Sequence, residues 1–403
     1  MKIKFLSSLF SFLLIVSFGS KSFAQFTNNG ATIIIQSGNT LFVDGDFYNQ
    51  SGSIINLGNI TLTGNWLNDD PQGAFNIAST GNVNFTGANQ TIGGLIPTIF
   101  PNVILAGSGV KTLLLNSSIN GTLNLNDREF ALNANNLFVL SNNPNTISFT
   151  TGFVSTEQKG YLYRNTNSQS DYLFPLGSVS TGNLVYRPVS VKAKDNANNT
   201  FGVSFIDRDP STEGYNINSK RFDVGQVNSS FFHLINQLNG NSAADFTFYY
   251  NNPSDGNFNQ LVDWIRFNLW EKIGIANPQP FSGGNAQLNQ TMTLSSLLPI
   301  NNLPVALATI VSNNDPLTFF NSFTPDGDGI NDRWEIKNID LFPDNNLVIL
   351  NRWGSEILNV KGYNNANAWD GLALNSGTYF YILKVNINGE NKVYKGFITL
   401  VKK

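Results

Sequence analysis

The chain has 403 residues, 41% hydrophobic and only 13% charged, about half the charged share of an ordinary soluble domain (~25%). Lys and Arg number 24 against 27 Asp and Glu, so the net charge is −3, with no basic footprint for nucleic acid and no polybasic membrane patch. There is no cysteine and one histidine, which excludes disulfides, thiolate catalysis, cysteine-ligated metals and a histidine-rich zinc site. Glycine (35) and phenylalanine (32) are abundant, and asparagine recurs throughout. Asn and Gly tolerate positive φ in turns, and aromatics suit half-buried pleated faces, so the composition predicts an all-β protein. Length alone predicts two to four domains at roughly 100–200 residues each.

Residues 1–24 read as a signal peptide. Lys2 and Lys4 form a basic start, and Phe5 to Phe18 is an apolar run. Ser22-Phe23-Ala24 offers small residues where a signal peptidase reads, with Gln25 as the expected mature start. The apolar run is short for a span, which needs about 20 residues. No cysteine follows it for a lipid anchor, and no later segment is long and apolar enough to cross a bilayer.

Residues 25–150 read as repeats. The segment Leu41-Phe42-Val43-Asp44-Gly45-Asp46-Phe47-Tyr48-Asn49 aligns with Ile60-Thr61-Leu62-Thr63-Gly64-Asn65-Trp66-Leu67-Asn68. Val83-Asn84-Phe85-Thr86-Gly87 and Val103-Ile104-Leu105-Ala106-Gly107 continue the series, so the glycines at 45, 64, 87 and 107 stand 19, 23 and 20 residues apart. Gly121-Thr122-Leu123-Asn124-Leu125 follows less regularly. A period near 20 predicts one coil of a solenoid, each coil burying its apolar residues on the next, with a right-handed parallel β-helix as the first reading. Hairpins in a sandwich are the alternative.

Across residues 151–311 the repeat fades and strands become longer and more aromatic. Examples are 160–164, 186–192, 201–205 and 245–250, separated by Asp209-Pro210 and Asn251-Asn252-Pro253. This pattern predicts a β-sandwich. Leu261 to Trp270 fits either a helical face or a strand, and its β-branched and aromatic content favours strand.

Residues 312–317 form a polar breaker, read as a linker. From residue 318 to 403 five motifs follow in order. The first is Phe323-Thr324-Pro325-Asp326-Gly327-Asp328-Gly329-Ile330-Asn331-Asp332. Then come Asn351-Arg352-Trp353-Gly354, Trp369-Asp370-Gly371, Gly377-Thr378-Tyr379-Phe380-Tyr381 and Lys395-Gly396-Phe397. Alternating strands and Asp-Gly turns predict a small sandwich. Taken together, the motifs resemble the gliding-motility-associated C-terminal domain of Bacteroidota, the type B sorting domain of the type IX secretion system. Asp326 departs from that family's usual Asn, a change that still suits a turn. The resemblance implies an Ig-like sorting sandwich, Sec export to the periplasm, an outer-membrane translocon as partner, and an extracellular or surface location. Phe174-Pro175-Leu176-Gly177 with Tyr186-Arg187-Pro188-Val189 also resembles a segment found in such proteins.

Candidate sites are few. Asp326, Asp328, Asn331 and Asp332 crowd oxygen ligands into one turn, which suits either calcium or a set of Asx turns. The spacing is not that of an EF-hand, because Lys337 stands where a bidentate Glu is needed, and Glu335 or Asp370 could complete a site only if the fold brings them close. His233 has apolar flanks in Phe231-Phe232-His233-Leu234-Ile235, so a core histidine is favoured over a base. Asp207, Asp209, Glu213 and Asp223 include enough carboxylates for a glycosidase, yet such a cluster reads more readily as a solvated loop. Gly93-Gly94 and Gly283-Gly284 read as turns and not phosphate loops. Trp66, Trp264 and Trp270 could stack on sugars if exposed, or pack in cores.

The expected function is a non-catalytic structural or adhesive surface protein that needs no cofactor, and the candidate targets are a surface polysaccharide or an adhesion partner. The alternatives are a carbohydrate-binding surface protein and a polysaccharide-cleaving enzyme on the β-helix, whose repeats offer only Asp44, Asp46, Asp69 and Asp70 over residues 31–125.

Overall fold

A computed structural model describes residues 24–180, 182–264, 268–283, 285–311, 316–371, 373–387 and 390–402. The expected signal peptide, but for Ala24, and residues 312–315 of the expected linker lie outside them. The described residues are all-β: strands, three short 3-10 turns and no α-helix, so no helix is long and apolar enough to cross a membrane.

From Ala24 to Thr166 the strands stack in parallel as a three-faced solenoid of about seven turns. One face is a seven-stranded sheet running from Ala24–Asn29 to Phe153–Ser155. The second is a six-stranded sheet from Thr40–Val43 to Ile147–Ser148. The third begins with Ile33–Ile35 beside Ile54–Asn56, and resumes from Ile99–Phe100 to Leu162–Thr166.

The spacing seen in the sequence is the pairing register. Phe47 sits on Trp66 and Asn49 on Asn68, while Ile60, Val83, Val103 and Leu123 form one column. Strand residues alternate inward and outward, so each coil presents one apolar row to the next. Phe47 and Trp66 stack at 4.6 Å, and Phe75, supplied by the longer 23-residue coil, stacks on Trp66 at 5.3 Å. Glycine recurs at one corner for a steric reason. A Cβ at Gly64 would lie 2.3 Å from the Gly45 carbonyl carbon, and one at Gly87 would lie 1.9 Å from the Thr63 oxygen. Neighbouring coils approach there closely enough that no side chain fits.

The repeat fades before the solenoid ends. Leu162–Thr166 pairs parallel with Leu137–Val139 on one side and antiparallel with Asn199–Ile206 on the other. The third face therefore continues directly into the antiparallel strands Phe232–Asn239, Leu303–Ile310, Gln260–Asp263 and Glu271–Lys272. A separate five-stranded sheet holds Tyr172–Phe174, Val189–Ala193, Ala244–Tyr250, Gln290–Leu297 and Gln279–Pro280. Phe201 meets Phe246 edge-on at 5.8 Å between these sheets, and one apolar cluster runs unbroken from the solenoid into this region. Gln260–Asp263 is the strand expected in the ambiguous stretch, of which 265–267 lie outside the described residues.

Buried cations brace the junction. Arg164 is 1% exposed, donates to the Leu173 and Pro144 carbonyls at 2.7 and 2.9 Å, and lies over the Tyr172 ring. Arg187 forms a two-pronged ion pair with Asp255 at 2.6 and 2.5 Å, both side chains nearly enclosed.

Residues 317–400 have their own core. The sheet order is Ser322–Phe323, Glu390–Leu400, Gly377–Ile387, Asn345–Leu350, Glu356–Lys361, and a short pair, Thr318–Phe319 with Ile336–Lys337, lies beside it. Phe222 of the central region reaches this unit, its ring 5.7 Å from Phe342, with the Arg221 guanidinium over both rings.

Candidate functional site

The five motifs of the last unit separate into a buried set and an exposed set. Phe323 packs at 5.3 Å on Trp369, which meets Tyr379 edge-on at 5.5 Å. Trp334 is fully buried, donates its Nε1–H to the Phe320 carbonyl at 2.6 Å, and packs 5.0 Å from Tyr381. The Tyr379 hydroxyl donates to the Asn375 carbonyl at 2.9 Å. Two motif glycines make room for these rings. Gly371 has φ +58°, and a Cβ there would press on Phe323 and Leu400 at 3.0 and 3.1 Å. A Cβ on Gly396 would lie 2.6 Å from the Tyr381 ring, which lies across that glycine in the neighbouring strand.

The Asp-rich loop is a chain of backbone caps. Asp332 accepts from the N–H groups of Gly327 and Gly329 at 2.6 and 2.9 Å. Asp326 accepts from Asp328 N–H at 3.3 Å, and Asp328 from Ile330 N–H at 2.8 Å. Gly327, Gly329 and Asn331 take positive φ, and the Asn331 carbonyl accepts from Thr324 N–H, closing the loop. Carboxylate oxygens of Asp326, Asp328 and Asp332 come within 4.8 Å of one another, whereas neither Glu335 nor Asp370 belongs to that group. Pro325 is half-buried at the loop entry.

Asn351 shapes the second turn: its Oδ1 accepts from the N–H groups of Trp353 and Ser355, each at 2.9 Å, and Gly354 follows at φ +81°. This turn holds Arg352 and Trp353 outward, with Trp353 84% exposed. Lys395 is also exposed, and Phe380 and Phe397, cross-strand neighbours, are half-exposed on the outer face of the sheet. The motifs therefore combine a folding core with exposed side chains: Arg352, Trp353, Lys395 and the two phenylalanines. The alternation of this strand, with Tyr379 and Tyr381 inward, already implied an outward Phe380. Tyr363, whose hydroxyl bonds the Trp334 carbonyl and the Trp369 N–H, carried no motif and was missed.

Elsewhere the candidates resolve as follows. His233 is buried among Phe205, Phe231 and Phe248, and its Nε2–H donates to the Arg187 carbonyl at 3.0 Å. Burial, with the nearby Arg187 charge, pulls its pKa down to about 4 despite that bond. The acidic group at 207–223 is not a solvated loop. Asp207 is 8% exposed and accepts from Ser180, Asp209 caps the turn Pro210–Glu213, and Glu213 pairs with Arg208 and Lys159. A hydroxyl, a backbone N–H and two cations thus take up the carboxylates of Asp207, Asp209 and Glu213. Trp66 and Trp270 are fully buried, and half-buried Trp264 packs at 5.4 Å on Trp270, so these rings form core and not a sugar platform. Gly94 turns the chain at φ +115° against the Asn68 backbone, while Gly284 lies outside the described residues.

Residues 317–400 thus form a small β unit with an aromatic core and exposed motif side chains, following a longer folded region. Residues 317–400 match the CHU_C Type IX secretion signal domain family, so this unit is a type B C-terminal sorting domain. The domain implies export through type IX secretion, with that machinery as partner and the cell surface or extracellular space as destination. No curated protein and no solved structure matches the chain.

Proposed function

We propose that this is a non-catalytic structural or adhesive surface protein, carried across the inner membrane by the Sec route and across the outer membrane by the type IX route. The signal-domain match at 317–400 carries the export half of this reading. The outer face of the solenoid supports the adhesive half. It presents neutral amide and hydroxyl ladders, such as Asn82 to Asn59 at 3.1 Å and Asn84 to Thr61 at 3.0 Å. The repeat acids are engaged in local bonds: Asp44 with Thr63, Asp46 with Asn65 N–H, Asp69 with Tyr48, and Asp70 with Gln72 N–H.

We read the facing central sheets as a β-sandwich and the final unit as an Ig-like one. Within the final unit we assign translocon recognition to Arg352, Trp353 and Lys395, three exposed motif side chains outside the Asp-rich loop. Labelling of intact cells with an antibody to the solenoid tests the placement. Surface label in a type IX-competent strain, lost in a translocon-deficient one, is the expected result. Equal label in both strains would contradict it. A second reading is glycan binding, which the neutral amide and hydroxyl ladders of the solenoid also suit.

A further inference from the structure

A cleft of about 600 Å³ opens where the last solenoid coil meets the five-stranded central sheet. Small-molecule sites usually span ~300–1,000 Å³. Four rings from four separate segments line it: Phe149, Tyr186, Tyr249 and Phe281. Tyr249 and Phe281 meet edge-to-face at 4.9 Å and form a corner, while Phe149 and Tyr186 lie 6.2 Å apart. Tyr249 is on the outer side of its strand, since Ala244, Phe246, Phe248 and Tyr250 point inward and it does not. Its ring therefore contributes to the cleft and not to packing between the sheets.

Polar groups share the same walls. Thr150 and Thr151 come from the solenoid side, and Asn285 and Gln287 from the loop after Phe281. The Gln287 side-chain Oε1 accepts from Tyr186 N–H at 3.0 Å, and Oδ1 of Asn285 from Gln287 N–H at 2.9 Å. These bonds fix the loop and orient both side-chain NH₂ groups as donors. Burial raises the pKa of the Tyr186 and Tyr249 phenols, so both remain protonated at neutral pH. Among the described residues, none that lines the cleft is charged. An anionic ligand would lose its hydration here without gaining a counter-charge, and the Asp171 carboxylate near the Tyr249 phenol would repel it.

We propose that this cleft binds a short neutral oligosaccharide, its pyranose faces on Tyr249 and Phe281 and its hydroxyls bonded by Thr150, Asn285 and Gln287. Such a ligand combines flat apolar CH faces with many neutral hydroxyls, which matches rings fringed by amides and hydroxyls. An aliphatic tail would satisfy the rings and strip water from the polar side chains without replacing it. The site deepens the glycan-binding reading above and rests on it. Export is tested by localisation, so loss of one claim leaves the other standing.

Calorimetric titration of the purified full chain with short cello-, xylo- and manno-oligosaccharides tests the proposal. The expected result is saturable binding of at least one series, weakened about tenfold by Phe281→Ala and by Tyr249→Ala. If Tyr249→Ala fails to fold, Phe281→Ala and Asn285→Ala, both outside the sheets, carry the test. No saturable binding to any series overturns the proposal. Binding that Phe281→Ala leaves unchanged, or tighter binding of an oligogalacturonate than of every neutral sugar, also overturns it.

Discussion

Asn49 donates from Nδ2 to Oδ1 of Asn68 at 3.0 Å, one coil further on, and both side chains are fully buried. Asn28 donates in turn to Asn49 at 2.9 Å. Stacked amides satisfy one another only when the coil register is kept, so this ladder ties the repeat spacing to stability. Asn49→Ala should leave the Asn68 oxygen without its ladder donor and destabilise the chain by about 1–3 kcal/mol. Urea unfolding should show a lower midpoint with an unchanged slope.

Lys111 is enclosed at a solenoid corner, where its ammonium donates to the carbonyls of Gly87, Ala88 and Ser108 at 2.8, 2.6 and 2.8 Å. Burial, helped by the Arg128 charge, holds its pKa down to about 8. Lys111→Met keeps the stem and removes the ammonium donor from all three oxygens, of which that of Gly87 still accepts from the Ser108 N–H. Relief of the desolvated charge offsets only part of that cost. A net loss of about 1–3 kcal/mol is expected in the same unfolding assay.

His233 gives the acid limb of stability a definite sign. Its folded pKa of about 4 lies below the unfolded value near 6.5. The unfolded chain therefore takes up the proton first, and stability falls as pH drops from about 6.5 to about 4, by roughly 3 kcal/mol. His233→Gln should flatten this fall. Glu157, raised chiefly by burial, titrates with the opposite sign but is present in both proteins. The difference between their pH–stability curves therefore isolates His233.

In the sorting domain, folding and recognition should separate by mutation. Gly371→Ala forces a side chain into a left-handed position against Phe323 and Leu400 and should cost about 1–3 kcal/mol. Trp353→Ala, at an 84% exposed site, should change stability by no more than about 0.5 kcal/mol and still reduce export. Thermal unfolding together with secretion yield distinguishes the two. Normal export of Trp353→Ala would remove that ring from the recognition face.

The solenoid was legible because its signal is local. The offset aligning Asn49 with Asn68 is the offset at which they pair, and the corner glycines mark coil contacts that exclude a Cβ. The five sorting motifs were legible as a linear series, although only strand alternation told an outward Phe380, and nothing in the sequence told that the Asn351 turn would hold Trp353 out. Trp66 and Trp270 show what a single residue hides, since whether a tryptophan is platform or core depends on neighbours distant in the chain. The cleft lay furthest from view. Phe149, Tyr186, Tyr249 and Phe281 have no common spacing, and only the junction of solenoid and sheet assembles them.

The central claim is that the final unit carries a periplasmic cargo across the outer membrane by the type IX route. Its most direct test is a fluorescent reporter placed behind residues 1–24 and carrying residues 312–403 at its C-terminus. It would be expressed in a type IX-competent host and in a translocon-deficient one. Reporter on the surface or in the medium of the competent host alone is the predicted result. Reporter retained in the periplasm of both hosts would contradict it.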